Sequence, residues 1–211
     1  MQKIYLHSSL KNNGWKEITF EGKLPNLYTV CGLGCIQIKT KSSVSMIGRL
    51  VTVDLNLYPV LNWEWKIKNQ VTSSDLSVKG MDDRAVAVYA TFPYSPNTAS
   101  LFERFKRPLM EIWRGSDAPS LGISYVWAGS DVIDEVISSP YFGESNKMII
   151  ARNGKDSVNR WATERVDVVA DHKRVFGFAP TVAAHLMISA DSDNTGINNQ
   201  AFIKGLLFTK D

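Results

Sequence analysis

Residues 61–92 read LNWEWKIKNQVTSSDLSVKGMDDRAVAVYATF. Two alternating stretches, Leu61–Lys68 and Arg84–Phe92, flank a polar loop that ends in Gly80-Met81-Asp82-Asp83. In the first, Trp63, Trp65 and Ile67 share one face and Glu64 and Lys66 the other. In the second, Val86, Val88 and Phe92 oppose Ala85, Ala87, Tyr89 and Thr91. A period of two with β-branched and aromatic enrichment predicts half-buried strands. The two are read as a strand pair at the centre of a sheet, with an acidic cluster at one end.

Outward from this pair the pattern repeats. Trp15–Phe20, Leu24–Val30, Cys35–Thr40 and Gly48–Asp54 precede it as short apolar runs punctuated by Gly, Pro, Asn and Ser. Leu121–Ala128, Lys147–Arg152, Trp161–Ala170, Ala184–Ala190 and Ala201–Thr209 follow. Between them, Thr98–Glu111 predicts a helical insertion, with Leu101, Phe102, Phe105 and Leu109 on its apolar side and Pro108 near its end. Asp171–Phe176 predicts a single helical turn stopped by Gly177. Roughly ten short strands and little helix predict an all-β fold, two packed antiparallel sheets forming a jelly roll or lectin-like sandwich. The long helices that a parallel α/β fold needs between its strands are missing. With no repeat or linker, residues 1–211 are expected to form one domain.

Composition bounds the function. Lys and Arg outnumber Asp and Glu by 24 to 21, an excess too small and too scattered to predict nucleic-acid binding. No stretch approaches the roughly 20 apolar residues of a membrane-spanning helix. The N-terminus, MQKIYLHSS, lacks the continuous apolar core of a signal peptide. Cys31 and Cys35 lack the further ligands of a zinc site. They are read as two small residues in a glycine-loosened strand, the alternative being a short-loop disulfide in a chain that matures outside the cytosol. Nothing here sets an oligomeric state.

Several blocks occur together and in order: LNWEWKI (61–67), GMDDRAVAVY (80–89), YVWA (125–128), Trp161 with Glu164-Arg165, Asp171 with Phe176-Gly177, and DSDNTG (191–196). In this combination, from about Trp15 onward, the chain resembles the uncharacterised bacterial family catalogued as domain of unknown function 3047. The resemblance implies a single β-rich domain, often exported or periplasmic, and carries no established reaction.

Three constellations carry candidate chemistry. Asp191, Asp193 and Asn194, with Asp82 and Asp83, offer oxygen ligands for Ca²⁺, although Asp191–Gly196 matches only the opening of a calcium loop, because the twelfth position holds Phe202 instead of Glu. The competing reading is an Asx-type turn. Adjacent Asp82 and Asp83 point to opposite faces of a strand, and one is expected to pair with Arg84 or Arg165. Strand parity supplies the third: with Trp63, Val86, Val88, Leu186 and Ile188 inward, Glu64, Lys66, Tyr89, His185 and Ser189 face outward, with Tyr125 and Trp127 either joining them or lying in the core. Apolar walls with a few placed polar groups suit a carbohydrate.

Hence a non-catalytic glycan-binding or envelope-associated sandwich is expected, needing no cofactor beyond a calcium ion. The alternatives are a polysaccharide lyase or glycoside hydrolase using Glu64, His185, Tyr89 and Arg84, and an interaction domain without a small ligand. A hydrolase pairing Glu64 with Asp191 or Asp193 requires carboxyls about 5–9.5 Å apart.

Overall fold

The computed structural model describes residues 6–71, 75–93, 119–129, 135–154, 156 and 158–210. The helix expected over 98–111 lies outside them. In chain order the elements are α1 (Ser8–Asn12), β1 (Lys16–Thr19), β2 (Leu27–Gly32), β3 (Cys35–Lys41), β4 (Val44–Asp54), β5 (Val60–Ile67) and β6 (Arg84–Pro93). Then come β7 (Pro119–Trp127), β8 (Val136–Ser139), β9 (Gly143–Arg152), β10 (Ala162–Asp167), α2 (Val168–Phe176), β11 (Val182–Asp191) and β12 (Asn198–Thr209).

Two sheets form the β-sandwich expected from the strand pattern. One has five strands in the order β10-β5-β12-β3-β2, the other seven in the order β1-β4-β11-β6-β7-β9-β8. All pairings between named strands are antiparallel except β7 with β9. The two strands that open the sequence reading are not a pair. β5 lies between β10 and β12, and β6 lies between β11 and β7 in the other sheet. Alternation identifies a strand's inward face but not its hydrogen-bonded neighbour, and the long connection after β5 lets the chain cross from one sheet to the other.

What joins β5 to the opposite sheet is an aromatic stack. Trp63 lies 5.3 Å from Tyr125 and Trp65 lies 5.6 Å from Trp127, ring centroid to centroid, while Trp63 and Trp65 meet edge to face at 5.3 Å. All four rings are buried. Such offset and edge-on contacts exploit the ring quadrupole in addition to the area removed from water. Two of the four polar tips are paired at the margins, Trp65 Nε1 donating to Glu164 (2.8 Å) and the Tyr125 hydroxyl to Asp171 of α2 (3.0 Å). The Trp63 and Trp127 indole N–H groups are buried without a partner among the described residues. Asn199 Nδ2 donates to the Ala85 carbonyl (3.1 Å), a polar tie between the sheets.

Two local boundaries differ from expectation. The strand expected over Trp161–Ala170 ends at Asp167, whose side chain accepts from Ala170 N–H and so caps α2. The helix then runs nine residues, and Gly177 closes it with φ +86°. Cys31 and Cys35 form a disulfide across the β2–β3 turn instead of standing as two small residues, and Leu33 projects at its tip. Gly32 and Gly34 both hold positive φ there, which lets the chain turn back within so short a loop.

His172 on α2 is buried. Its Nδ1 donates to the Phe178 carbonyl (2.7 Å), and Phe92, Phe176 and Phe178 surround the ring at 4.5–4.8 Å. Burial holds its pKa below the usual histidine value, against the opposing Phe178 hydrogen bond. The unfolded chain therefore takes up a proton near pH 6.5 that the folded protein refuses, so stability falls as the pH drops below about 6.5.

Two outcomes are expected. Thermal melts of His172→Asn should lose less stability than wild type between pH 7 and pH 5. Because the disulfide closes a very short loop, it is worth roughly 2 kcal/mol at most, and the double Cys→Ser variant should melt only a few degrees lower.

Candidate functional site

Parity assigns inward and outward faces well, but the outward residues divide between two sheets. Glu64 and Lys66 project from β5 on the five-stranded sheet, whereas Tyr89, His185 and Ser189 project from β6 and β11 on the seven-stranded one. Tyr125 and Trp127 belong to the buried aromatic stack. The proposed lyase or hydrolase set of Glu64, His185, Tyr89 and Arg84 is therefore not one site, and Glu64 shares no sheet with Asp191.

Among the described residues, the outer face of the seven-stranded sheet is also no open groove. Tyr89, Met187 and Val126 pack with Ile18, Met46, Leu76 and Met148 in a second apolar cluster, and His185 and Ser189 are buried beside it. Its polar groups bond to one another: Thr91 Oγ1 with His185 Nδ1 (3.2 Å), the Tyr89 hydroxyl with Ser189 Oγ (3.0 Å), and Ser124 Oγ to Asn146 Oδ1 (3.0 Å). Arg84 donates to the Tyr89 hydroxyl (3.0 Å) and to Asp82 (3.2 Å), and lies 3.6 Å from Asp191. Burial works against the charge on Arg84, but Tyr89, Asp191 and Asp82 outweigh it and keep the guanidinium protonated.

At the end of β11 the acidic residues do converge. One carboxylate oxygen each from Asp83, Asp191 and Asp193 lies within 4.8 Å of the others, close enough to hold a metal ion. Asp83 is fully buried and accepts from both the backbone and side chain of Asn194 (3.3 and 3.0 Å) and of Thr195 (2.6 and 2.6 Å). Burial pushes its pKa up, yet these donors, Thr195 foremost, bring it below the ordinary carboxylate value. Asp191 goes the other way: burial, with Asp193 and Asp83 nearby, raises it well above that range despite Arg84.

Asp82 and Asp83 precede β6 instead of lying on a strand; Asp82 turns aside to Arg84, and Asn194 serves Asp83 as a donor. Lys23, a residue not anticipated from the sequence, pairs with Asp193 across a separation of 170 positions. The expected Asx turn and the expected acidic cluster are thus one object, in which Asp83 holds the 191–196 loop by its backbone.

The open aromatic surface lies elsewhere. Trp161, immediately before β10, is 38% exposed, unlike Trp63, Trp65 and Trp127. Its ring neighbours Phe202 at 6.4 Å. The Lys66 ammonium sits 4.9 Å from the Trp161 ring centre and 4.7 Å from that of Phe202, and Lys204 sits 4.4 Å from Trp161. These are cation–π distances. Glu64 pairs with Lys204 (3.1 Å), and Gln37 donates to Gln200 (3.2 Å) on the same face.

Beside Trp161 opens a groove of about 370 Å³ lined by Trp127, Arg152, Asp156, Arg160, Ala162 and Thr163. Arg152 is fixed there by Glu164 (2.6 Å) and Asp156 (3.2 Å). Parity carried the signal for this surface. Positions 161, 163 and 165 alternate against Ala162, Glu164 and Val166, so the outward step reaches Trp161.

Comparison with known proteins adds the following. No curated protein matches the chain. Among solved structures, the xyloglucanase domain of NopAA, a type three effector from Sinorhizobium fredii, solved with cellobiose, is similar at 9% identity over 94% of this chain and 95% of that one, with a TM-score of 0.51. A family 12 xyloglucanase from Bacillus licheniformis is similar at 12% identity over 93% and 97%, with a TM-score of 0.46. The family 30 carbohydrate-binding module of a Clostridium thermocellum cellulosomal cellulase is similar at 13% identity over 92% and 86%, with a TM-score of 0.42. At such identities the NopAA likeness is one of fold. A family model matches residues 13–206, and the chain belongs to that family, described as protein of unknown function DUF3047.

Proposed function

We propose that this protein is a non-catalytic glycan-binding sandwich, with the saccharide resting on the outer face of the five-stranded sheet across Trp161. The observation that carries the reading is the exposed indole beside Phe202, on a rigid sheet face furnished with Glu64, Lys66, Lys204, Gln37 and Gln200. An indole offers a flat apolar area to the C–H face of a sugar ring, and the polar side chains around it meet the hydroxyls. Support for binding over cleavage comes from the register. Among the described residues the direct cross-strand neighbours of Glu64 are Thr163 and Lys204, neither of them a carboxylate, whereas glycoside hydrolysis ordinarily uses two. The Cys31–Cys35 bridge suits a protein that matures in an oxidising compartment.

A second reading concerns the carboxylate corner, which we assign to Ca²⁺. Among the described residues Asp83, Asp191 and Asp193 converge beside two cations, Arg84 and Lys23. Hard oxygen donors suit calcium, which on binding displaces the proton that burial and the neighbouring carboxylates favour on Asp191.

Trp161→Ala should melt like wild type and lose binding to oligosaccharides by about tenfold or more, as loss of a central aromatic anchor does. Unaltered binding, or new reducing ends after long incubation with polysaccharide, would refute the reading. Calcium should raise the melting temperature and a chelator reverse it, since an ion held only by the folded state stabilises it. An unchanged melt in calcium removes the ion from the account.

A further inference from the structure

The +3 excess of the whole chain looks scattered in the sequence, but the fold gathers cations on one surface. On the outer face of the five-stranded sheet stand Lys39 and Lys41 of β3, Lys66 of β5, Lys68 just beyond it, Lys204 of β12 and Arg165 of β10. Lys39 and Lys41 alternate with inward Ile38 and Thr40, and Arg165 lies in register with outward Asn62. Only Lys204 is paired, with Glu64. Among the described residues Lys39, Lys41, Lys68 and Arg165 are exposed and have no carboxylate partner.

Resting on the glycan-binding reading, we infer that the ligand of this face is an acidic polysaccharide, bearing carboxylate or sulfate groups on successive sugars. Two features of the surface fit that class. Charges two residues apart on a strand recur about every 6.7 Å, so Lys39 with Lys41 and Lys66 with Lys68 form parallel rows that meet the regularly spaced anions of a linear polymer. Lys66 and Lys204, held over Trp161, place ammonium groups where a sugar stacked at the indole edge carries its acidic substituent.

A single-stranded polynucleotide would also be attracted, but such sites stack successive bases on successive aromatic rings. Among the described residues, one exposed indole and a half-buried Phe202 make up the aromatic surface of this face. The groove beside Trp161 extends the same character, since exposed Arg160 stands at its edge while Arg152 is already engaged by Glu164 and Asp156.

The test is calorimetric titration of the intact chain with oligogalacturonates, with xyloglucan and cello-oligosaccharides, and with polyuridylate, each at low and high salt. Oligogalacturonates should bind more tightly than the neutral oligomers, and their affinity should fall as salt rises, since exposed charges are screened. The surface variant Lys39→Ala/Lys41→Ala/Lys68→Ala should melt as wild type and bind the acidic oligomers about tenfold more weakly, leaving neutral ones unaffected. Preference for neutral oligomers, or equal binding of both, overturns this inference and leaves glycan binding standing. No binding of any saccharide overturns both. Tighter binding of polyuridylate overturns the acidic-glycan assignment in favour of RNA.

Discussion

The contact on which the rest of this structure depends is the stack of Trp63, Trp65, Tyr125 and Trp127 between the two sheets. It places three tryptophans and a tyrosine of the central strands in the interior, where large rings gain most from leaving water. The stack also determines what is left for recognition. With those rings committed to the core, Trp161 immediately before β10 supplies an exposed indole among the described residues, and the surface that carries it belongs to the five-stranded sheet.

The seven-stranded sheet is buried on both faces along β6. Ala87 and Tyr89 enter a second apolar cluster, while Val86 and Val88 enter the first. Polar groups deprived of water on such a face must satisfy one another, because an unpaired buried donor or acceptor costs more than a formed bond returns. Thr91 with His185, Tyr89 with Ser189 and Arg84, and Ser124 with Asn146 do so. Residues that look like a catalytic assembly when taken as outward-facing are thus internal partners. The same rule explains Asp83, whose carboxylate ties the loop after β11 to the start of β6 through the donors of Asn194 and Thr195.

Much of the architecture and part of the site were legible in particular residues. Alternation around Trp63 and Trp65 marked β5 and its inward face, and alternation around Val86 and Val88 marked β6. Asp191-Ser192-Asp193-Asn194 marked a turn rich in oxygen, and the structure brings Asp83, Asp191 and Asp193 together there. Lys23 gave no sign of itself, because its partner Asp193 lies 170 residues away. The disulfide was readable only as an alternative, since spacing alone does not distinguish two bridged cysteines from two packed ones.

The amino-acid sequence by itself determined the strand character of these segments, the side of each strand that faces inward, and the family, because local periodicity and motif order are properties of neighbouring residues. Tertiary structure decided which strands are partners, and therefore that Glu64 and Lys66 share a face with Lys204 and Phe202 and not with Tyr89 and His185. It also decided that Lys39, Lys41, Lys66, Lys204 and Arg165, far apart in the chain, stand on one sheet. Side-chain alternation repeats identically whichever neighbour a strand takes, so pairing is set by how the whole set of apolar faces can be buried at once.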